Sequence, residues 1–524
     1  MTSKARTIAT DGAANRLRFL ALTHGKPLWE AIQHVEPVRR RLNAALIDKA
    51  IREMPPRPEP LSTMAPYTSW DSLTDRTYAG RHLPPRAPSP GLPSPERAAA
   101  LFARGESMIP CPRSTVLFAY FAQWFTDGFL RGDSSTPRDP RRSTSNHHID
   151  LNNLYGLDGA ATAALRTFEG GLLKSQRIDG AEFPPYLCQD GRIRPEFSPL
   201  SVIRFEALTP EQRATLFALG SDRGNGQIGF TMLTVLFLRE HNRIARLMAE
   251  RYPGWDDERL FQTTRNVLIV LLIKLVVEEY INHITPYHFR FSLTPGLTTA
   301  LAGVPWQREN WASVEFNLVY RWHSLIPSTL AVGGSHVPLA GTLFAGPLLV
   351  KGGLGAAFEE ASLQRAGRIG LFNTDPALLP VDLSSIVDSR VLGLASYNSY
   401  RKHCSFPPVR RFEQISGDPR VRHALGELYR SVDDVDLYVG LFAEEPGSPD
   451  AILPPLLTKI IAIDAFSQAL TNPLLAPRVF TPQTFSPLGM EIIATTRTLS
   501  DVLNRNIPEE PSTRFVSMTR KDRP

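Results

Sequence analysis

Hydrophobic positions along this chain recur mostly three or four residues apart, and strict alternation of apolar and polar positions is scarce. The spacing predicts helices over 96–104, 114–130, 227–251, 256–283, 308–323, 354–367 and 420–430. Two shorter helices are expected within 27–53. Leu28, Ile32 and Val35 share one face there, and Leu42, Ala45, Leu46 and Lys49 another. The longest apolar run, VLIVLLIKLVV at 267–277, is too short to cross a bilayer and carries Lys274, so it reads as a core helix. Proline clusters at 55–60 and 84–94 read as extended connections. The expected layout is mainly α: a flexible N-terminus over 1–22, an amphipathic segment over 23–60, one large helical domain over 61–515, and a tail over 516–524.

Composition narrows the function classes. With 42% hydrophobic and 21% charged residues in 524, the chain has an ordinary globular balance. The net charge is +6, and eleven basic against six acidic residues place +5 of it within 1–60. A basic stripe interleaved with aromatics is missing, so nucleic acid is not an expected partner. The basic amphipathic end suits peripheral contact with an anionic membrane surface, or simple packing on the body. Three scattered cysteines, Cys111, Cys188 and Cys404, offer no disulfide framework, and no apolar leader opens the chain; a reducing, cytoplasmic setting is expected.

The segment VYRWHSLIP at 319–327 brings chemistry. Within the helix predicted over 308–323, Tyr320 and His323 are neighbours on one face. A neutral imidazole in an apolar pocket is a good ligand for haem iron. A phenol one turn away could give an electron and a proton to an oxidised haem, and its radical could then take a hydrogen atom from a substrate. Taken alone, YxxH is a weak signal and better describes a core tyrosine beside a satisfied core histidine.

The neighbouring motifs decide between these. FAYFAQWFTDGFL at 118–130, LFLREHNRIA at 236–245, VVEEYINHITPYHF at 276–289, EFNLVYRWHSLIP at 315–327 and AFSQALTNP at 465–473 follow one another. In order and spacing the chain resembles the animal haem peroxidase superfamily, in its cyclooxygenase and fatty-acid dioxygenase branch, over roughly 60–515. The resemblance implies a helical peroxidase domain with haem b between helices. It implies an enzyme that uses a tyrosyl radical and O2 to oxygenate an unsaturated fatty acid or another apolar small molecule to a hydroperoxide. His323 matches the haem-iron ligand and Tyr320 the radical tyrosine. Gln123 matches the distal glutamine. Phe316, Val319 and Trp322 match channel positions, as do Tyr280, Ile281, Ile284, Thr285 and Tyr287. Ser467 matches the serine that aspirin acylates in cyclooxygenases.

The departures matter as much. The family expects FAQxFTH, and this chain has FAQWFTD, so Asp127 stands where a distal histidine would move a proton between peroxide oxygens. Arg223 falls where the peroxidase branch carries a distal arginine. Ungapped counting for the carboxylate-anchoring arginine lands on Ile51; the neighbouring Arg52 is the candidate, with Arg57 as second choice. Asp464 stands in the channel helix where small apolar residues are expected. Either it points away, or the substrate is no simple fatty acid. A haem oxidase or peroxidase of a more polar metabolite is therefore the alternative, and a haem-binding pseudoenzyme the weaker one. Glu240, His241 and Arg243 of LREHNR read as a structural network. The cysteine-rich growth-factor-like domain of animal cyclooxygenases has no counterpart, which suits a bacterial-type relative.

Overall fold

The sequence VLFAYFAQWFT has no polar face, and it folds as the helix Val116–Thr126 with every side chain buried except Gln123. The computed structural model describes residues 13–52, 57–59, 62–63, 69–87, 89–133, 138–293, 297–301, 303–448 and 451–520. Two long helices, Ile228–Arg251 and Asp257–Leu275, pack with Val116–Thr126 to form the centre of the core. Trp124 Nε1 donates to Thr234 Oγ1 at 3.0 Å. A Cβ on Gly229 would lie 2.1 Å from the Tyr120 ring, so only glycine allows this crossing. Asp256 caps the third helix by accepting from the Arg259 amide at 2.8 Å. That helix runs on through the π-turn Val276–Ile281 to Asn282–Ile284.

The LREHNR segment is the structural network expected. Buried Glu240 accepts from Arg243, Arg505 and Asn506. His241 Nε2 lies 2.9 Å from the Gly171 carbonyl, which can only accept, so its Nδ1 takes the Tyr155 hydroxyl proton at 2.8 Å.

Several expected boundaries are corrected. The helix foreseen over 308–323 is only Val314–Val319, because residues ahead of it bridge to Gly80: the Gly80 amide donates to Ala312 O and the Val314 amide to Gly80 O, both at 2.9 Å. Residues 13–22 are not loose. Ala13–Thr23 is a helix, and its Leu22 carbonyl accepts from the His288 amide at 3.0 Å. Residues 1–12 lie outside the described residues. The packing face of helix Glu36–Ile51 is Asn43, Ala44, Ile47 and Ile51; Ala45 and Lys49 point outward. In the tail, Val516 and Met518 are buried, and the Met518 carbonyl accepts from the Thr115 amide at 3.1 Å.

Buried histidines give the fold an acid limit. Burial pushes His147 and His241 down to about 4, and His82 and His283 well below their ordinary value. The unfolded chain, with histidines near 6.5, then binds more protons than the fold between about pH 4 and 6.5. Stability is therefore expected to fall as pH drops through that window. Melting temperature of the apoprotein against pH checks this; a flat profile from pH 7 to 5 would contradict it.

Candidate active site

Tyr320 and His323 do not share a helical face. Tyr320 ends the helix Val314–Val319 with φ −89° and ψ 27°, and His323 opens a separate 3-10 turn, His323–Leu325. The link between them is aromatic. The Trp322 ring stacks on Tyr320 with centroids 4.6 Å apart, and Phe316 meets Tyr320 edge-on at 5.1 Å. Phe118 stacks on both Trp322, at 5.9 Å, and Tyr280, at 5.4 Å.

His323 is an uncommitted imidazole. Its Nδ1 is buried without a hydrogen bond, and the residue as a whole is half-buried. Burial, with Arg321 adding repulsion, pushes the ring down to about 3, so it is neutral at physiological pH. The Tyr320 hydroxyl is buried. Its polar neighbour is the Tyr280 hydroxyl, close enough for the two phenols to shift each other, although neither makes a hydrogen bond of good geometry. Burial holds both far above the ordinary phenol range, so both are protonated.

On the helix Val116–Thr126, Gln123 alone is exposed, and Asp127 follows one turn on. Arg223 Nη1 donates to Asp127 Oδ1 at 3.0 Å, and the Asp127 charge raises the Arg223 pKa. Asp127 and Arg223, assigned one by one from sequence spacing, are thus ion-paired in the structure. Arg321 lies near Arg223 and Asp127, with its Nε buried and unpartnered.

Phe316, Val319, Trp322, Tyr280, Ile281 and Ile284 are all buried around this centre. Thr285 and Tyr287 line an apolar pocket open to solvent, together with Phe19, Phe466, Arg18 and Lys459.

Residues 128–516 match the family described as animal haem peroxidase. The chain is 31% identical over 520 residues to prostaglandin G/H synthase 2 of Oryctolagus cuniculus, covering 95% of this chain and 83% of that one. It is 32% identical over 489 residues to prostaglandin G/H synthase 1 of Mus musculus, covering 90% and 78%. A fatty acid alpha-dioxygenase from Oryza sativa, solved with palmitic acid, shares the fold with a TM-score of 0.69 at 18% identity, over 97% of this chain and 94% of that one.

The chain belongs to the animal haem peroxidase family. It is a haem-dependent oxidoreductase, and the residues present fit haem. His323 offers a neutral, unpartnered nitrogen to the iron. Arg321 is a buried cation with a spare donor, suited to a haem propionate.

In this haem peroxidase the expected channel residues on the helix Pro455–Leu470 are closed in polar bonding. Ser467 is 2% exposed, accepts from Asn310 Nδ2 at 2.8 Å and donates to the Asp464 carbonyl at 3.2 Å. Asp464 is fully buried and ion-paired with Arg57. Arg52, expected as a carboxylate anchor, is corrected: its side chain is 69% exposed and pairs with Asp48 one turn back. Reading the sequence missed His82, Ser313 and Arg321. Arg321 lies inside the YRWH motif and could have been found there; His82 and Ser313 meet the site only through long-range folding.

Proposed function

We propose that this haem peroxidase oxygenates unsaturated fatty acids, with Tyr320 as the hydrogen-abstracting group. The observation that carries the reading is the Tyr320 phenol: buried, neutral, beside Tyr280 and three residues from the uncommitted His323. The relatives named prostaglandin G/H synthase, and the alpha-dioxygenase solved with palmitic acid, support the substrate class.

Haem, when bound at His323, supplies the oxidising equivalent, generated by a hydroperoxide. Gln123, Asp127 and Arg223 are the side chains that would meet that peroxide. Asp127 takes its proton and returns it to the leaving oxygen, and Arg223 holds the negative charge. Tyr320 loses one electron and its phenolic proton. Its oxygen then takes a hydrogen atom from an allylic carbon, which restores the phenol and leaves a carbon radical. Dioxygen adds to that carbon, and the peroxyl radical takes the hydrogen back from Tyr320, giving the hydroperoxide and the tyrosyl radical again. Phe316, Trp322 and Val319 exclude water around these steps.

The cavity lined by Thr285, Tyr287 and Phe466 suits the entering acyl chain, with Arg18 and Lys459 supplying positive charge for a carboxylate in place of Arg52. Leu17, Leu28, Val35 and Val38 are exposed at 43–69% on the helices beside it, next to Arg39–Arg41. This supports peripheral contact with an anionic membrane surface. No helix among the described residues is long and apolar enough to cross a membrane.

Oxygen uptake by haem-loaded protein, given a panel of unsaturated fatty acids with and without a trace of hydroperoxide, tests the reading. Uptake that requires the trace is expected. Silence across the panel, with haem bound, would overturn it in favour of an oxidase or peroxidase of a more polar metabolite.

A further inference from the structure

We propose that Asp464, with Arg57 and His82, is a positioning cluster for Tyr320, acting through the N-cap of the short helix that ends on the phenol. The inference rests on the reading of Tyr320 as the abstracting group. It accounts for a fully buried carboxylate on the helix Pro455–Leu470 that a lipid tunnel would not tolerate.

Asp464 is 0% exposed, and a buried carboxylate persists only when paired and hydrogen-bonded. Its partners come from three distant stretches. Arg57 makes the ion pair, His82 Nε2 approaches Oδ2 at 3.1 Å, and Ser313 Oγ donates to Oδ2 at 2.6 Å. Arg57 Nη1 lies 3.0 Å from His82 Nδ1, and a guanidinium only donates. Nδ1 is therefore bare, and the His82 proton sits on Nε2, aimed at Asp464. The histidine has one tautomer, and the carboxylate has its donors fixed.

Ser313 carries this order into the helix. While its hydroxyl proton goes to Asp464, its oxygen accepts the Phe316 amide at 3.0 Å as N-cap of Val314–Val319. The bonds around it leave the entering segment little freedom. Arg57 Nε donates to the Trp311 carbonyl at 2.8 Å, and the Arg57 amide to Asn310 Oδ1 at 2.8 Å. Gln468 Nε2 donates to the Asn310 carbonyl at 2.8 Å. Glu315 accepts the His82 amide at 3.0 Å and the Tyr400 hydroxyl at 2.6 Å.

A helix of six residues has no stability of its own, so its direction is set where it is tied. Tyr320 stands at the far end, about 10 Å from the cap at 1.5 Å per residue. A small tilt at Ser313 becomes a displacement of the phenolic oxygen, and hydrogen transfer is steeply sensitive to such displacement. Asp464 touches no reacting atom.

The test uses haem-loaded Ser313→Ala, Ser313→Thr and Asp464→Asn. Three readouts are taken: the electron paramagnetic resonance line shape of the peroxide-generated tyrosyl radical, kcat and KM for fatty-acid oxygenation, and melting temperature. Ser313→Ala and Asp464→Asn are expected to change the hyperfine pattern, which reports the ring angle about Cβ. They should lower kcat on the order of 10- to 100-fold with KM little changed. Ser313→Thr, which keeps the hydroxyl, should restore both. A lower melting temperature with unchanged line shape and kcat would reduce the cluster to a structural role and overturn the proposal. A raised KM with unchanged kcat would overturn it by making Asp464 part of the substrate site. If Asp464→Asn does not fold, the serine pair decides alone. A wild-type protein without a Tyr320-dependent radical would instead remove the reading beneath, and that result needs no variant of the cluster.

Discussion

Tyr320→Phe is expected to abolish oxygenation while leaving haem bound. The substitution removes the O–H bond that the proposed chemistry uses twice in each turnover, and nothing else in the aromatic box changes. A loss on the order of 10³-fold or more, about 4 kcal/mol of barrier, should appear in oxygen uptake. Stability should hold or rise slightly. The Tyr320 hydroxyl is buried without a hydrogen bond of good geometry, so removing it relieves a desolvated group rather than breaking a bond. Phenylalanine keeps the stacking on Trp322 and the edge contact with Phe316. The haem absorption band, the melting temperature and the radical signal separate these effects. Retained oxygen uptake in a variant with normal haem binding would defeat the mechanism.

How much of this was legible in the sequence depends on the range of the interaction. The central helices were readable because their apolar patterns are long and nearly continuous; Ile228–Arg251 lies within one residue of its expected bounds. Tyr320 and His323 were legible as residues but not as geometry. A period of 3.6 put them on one face, whereas the bridge to Gly80 shortens the helix and leaves Arg321–Trp322 between helix and 3-10 turn. The face of Glu36–Ile51 was misread because Leu42 and Leu46 are only partly covered, while Ala44, Ile47 and Ile51 carry the packing. The error at Arg52 has the same root. Counting along the chain cannot tell an arginine that pairs one turn back with Asp48 from one, five residues on, that finds a carboxylate on the helix Pro455–Leu470. Asp464 was correctly seen as too costly for an apolar tunnel. Its partners, 382 and 151 residues away at His82 and Ser313, leave no local signal.

Asp127 carries the second large effect. In the histidine's place, the structure supplies a carboxylate already engaged by Arg223, which turns the departure into a matched pair. Asp127→Asn keeps the shape but removes both the proton acceptor and the counter-charge for Arg223. General acid–base catalysis of this kind is worth about 10² to 10⁴ in rate, so peroxide-driven turnover of a reducing co-substrate should fall by at least about 10²-fold. Arg223→Ala should lose a comparable amount, and the double variant little more, because the two act as one unit. The sharper experiment is Asp127→His, which restores the family's residue. If the site merely lacks its base, peroxidase turnover rises. In this chain the new imidazole would face Arg223 in place of the carboxylate, with Asp222 the remaining negative charge near that guanidinium. Repulsion from the guanidinium favours the neutral ring, and the guanidinium, 26% exposed, loses its hydrogen bond to the Asp127 carboxylate. No gain is therefore expected, the result for a proposed peroxide site that depends on the carboxylate–arginine pair. A severalfold increase in peroxidase turnover for Asp127→His would show instead that Arg223 is incidental and the aspartate a simple loss.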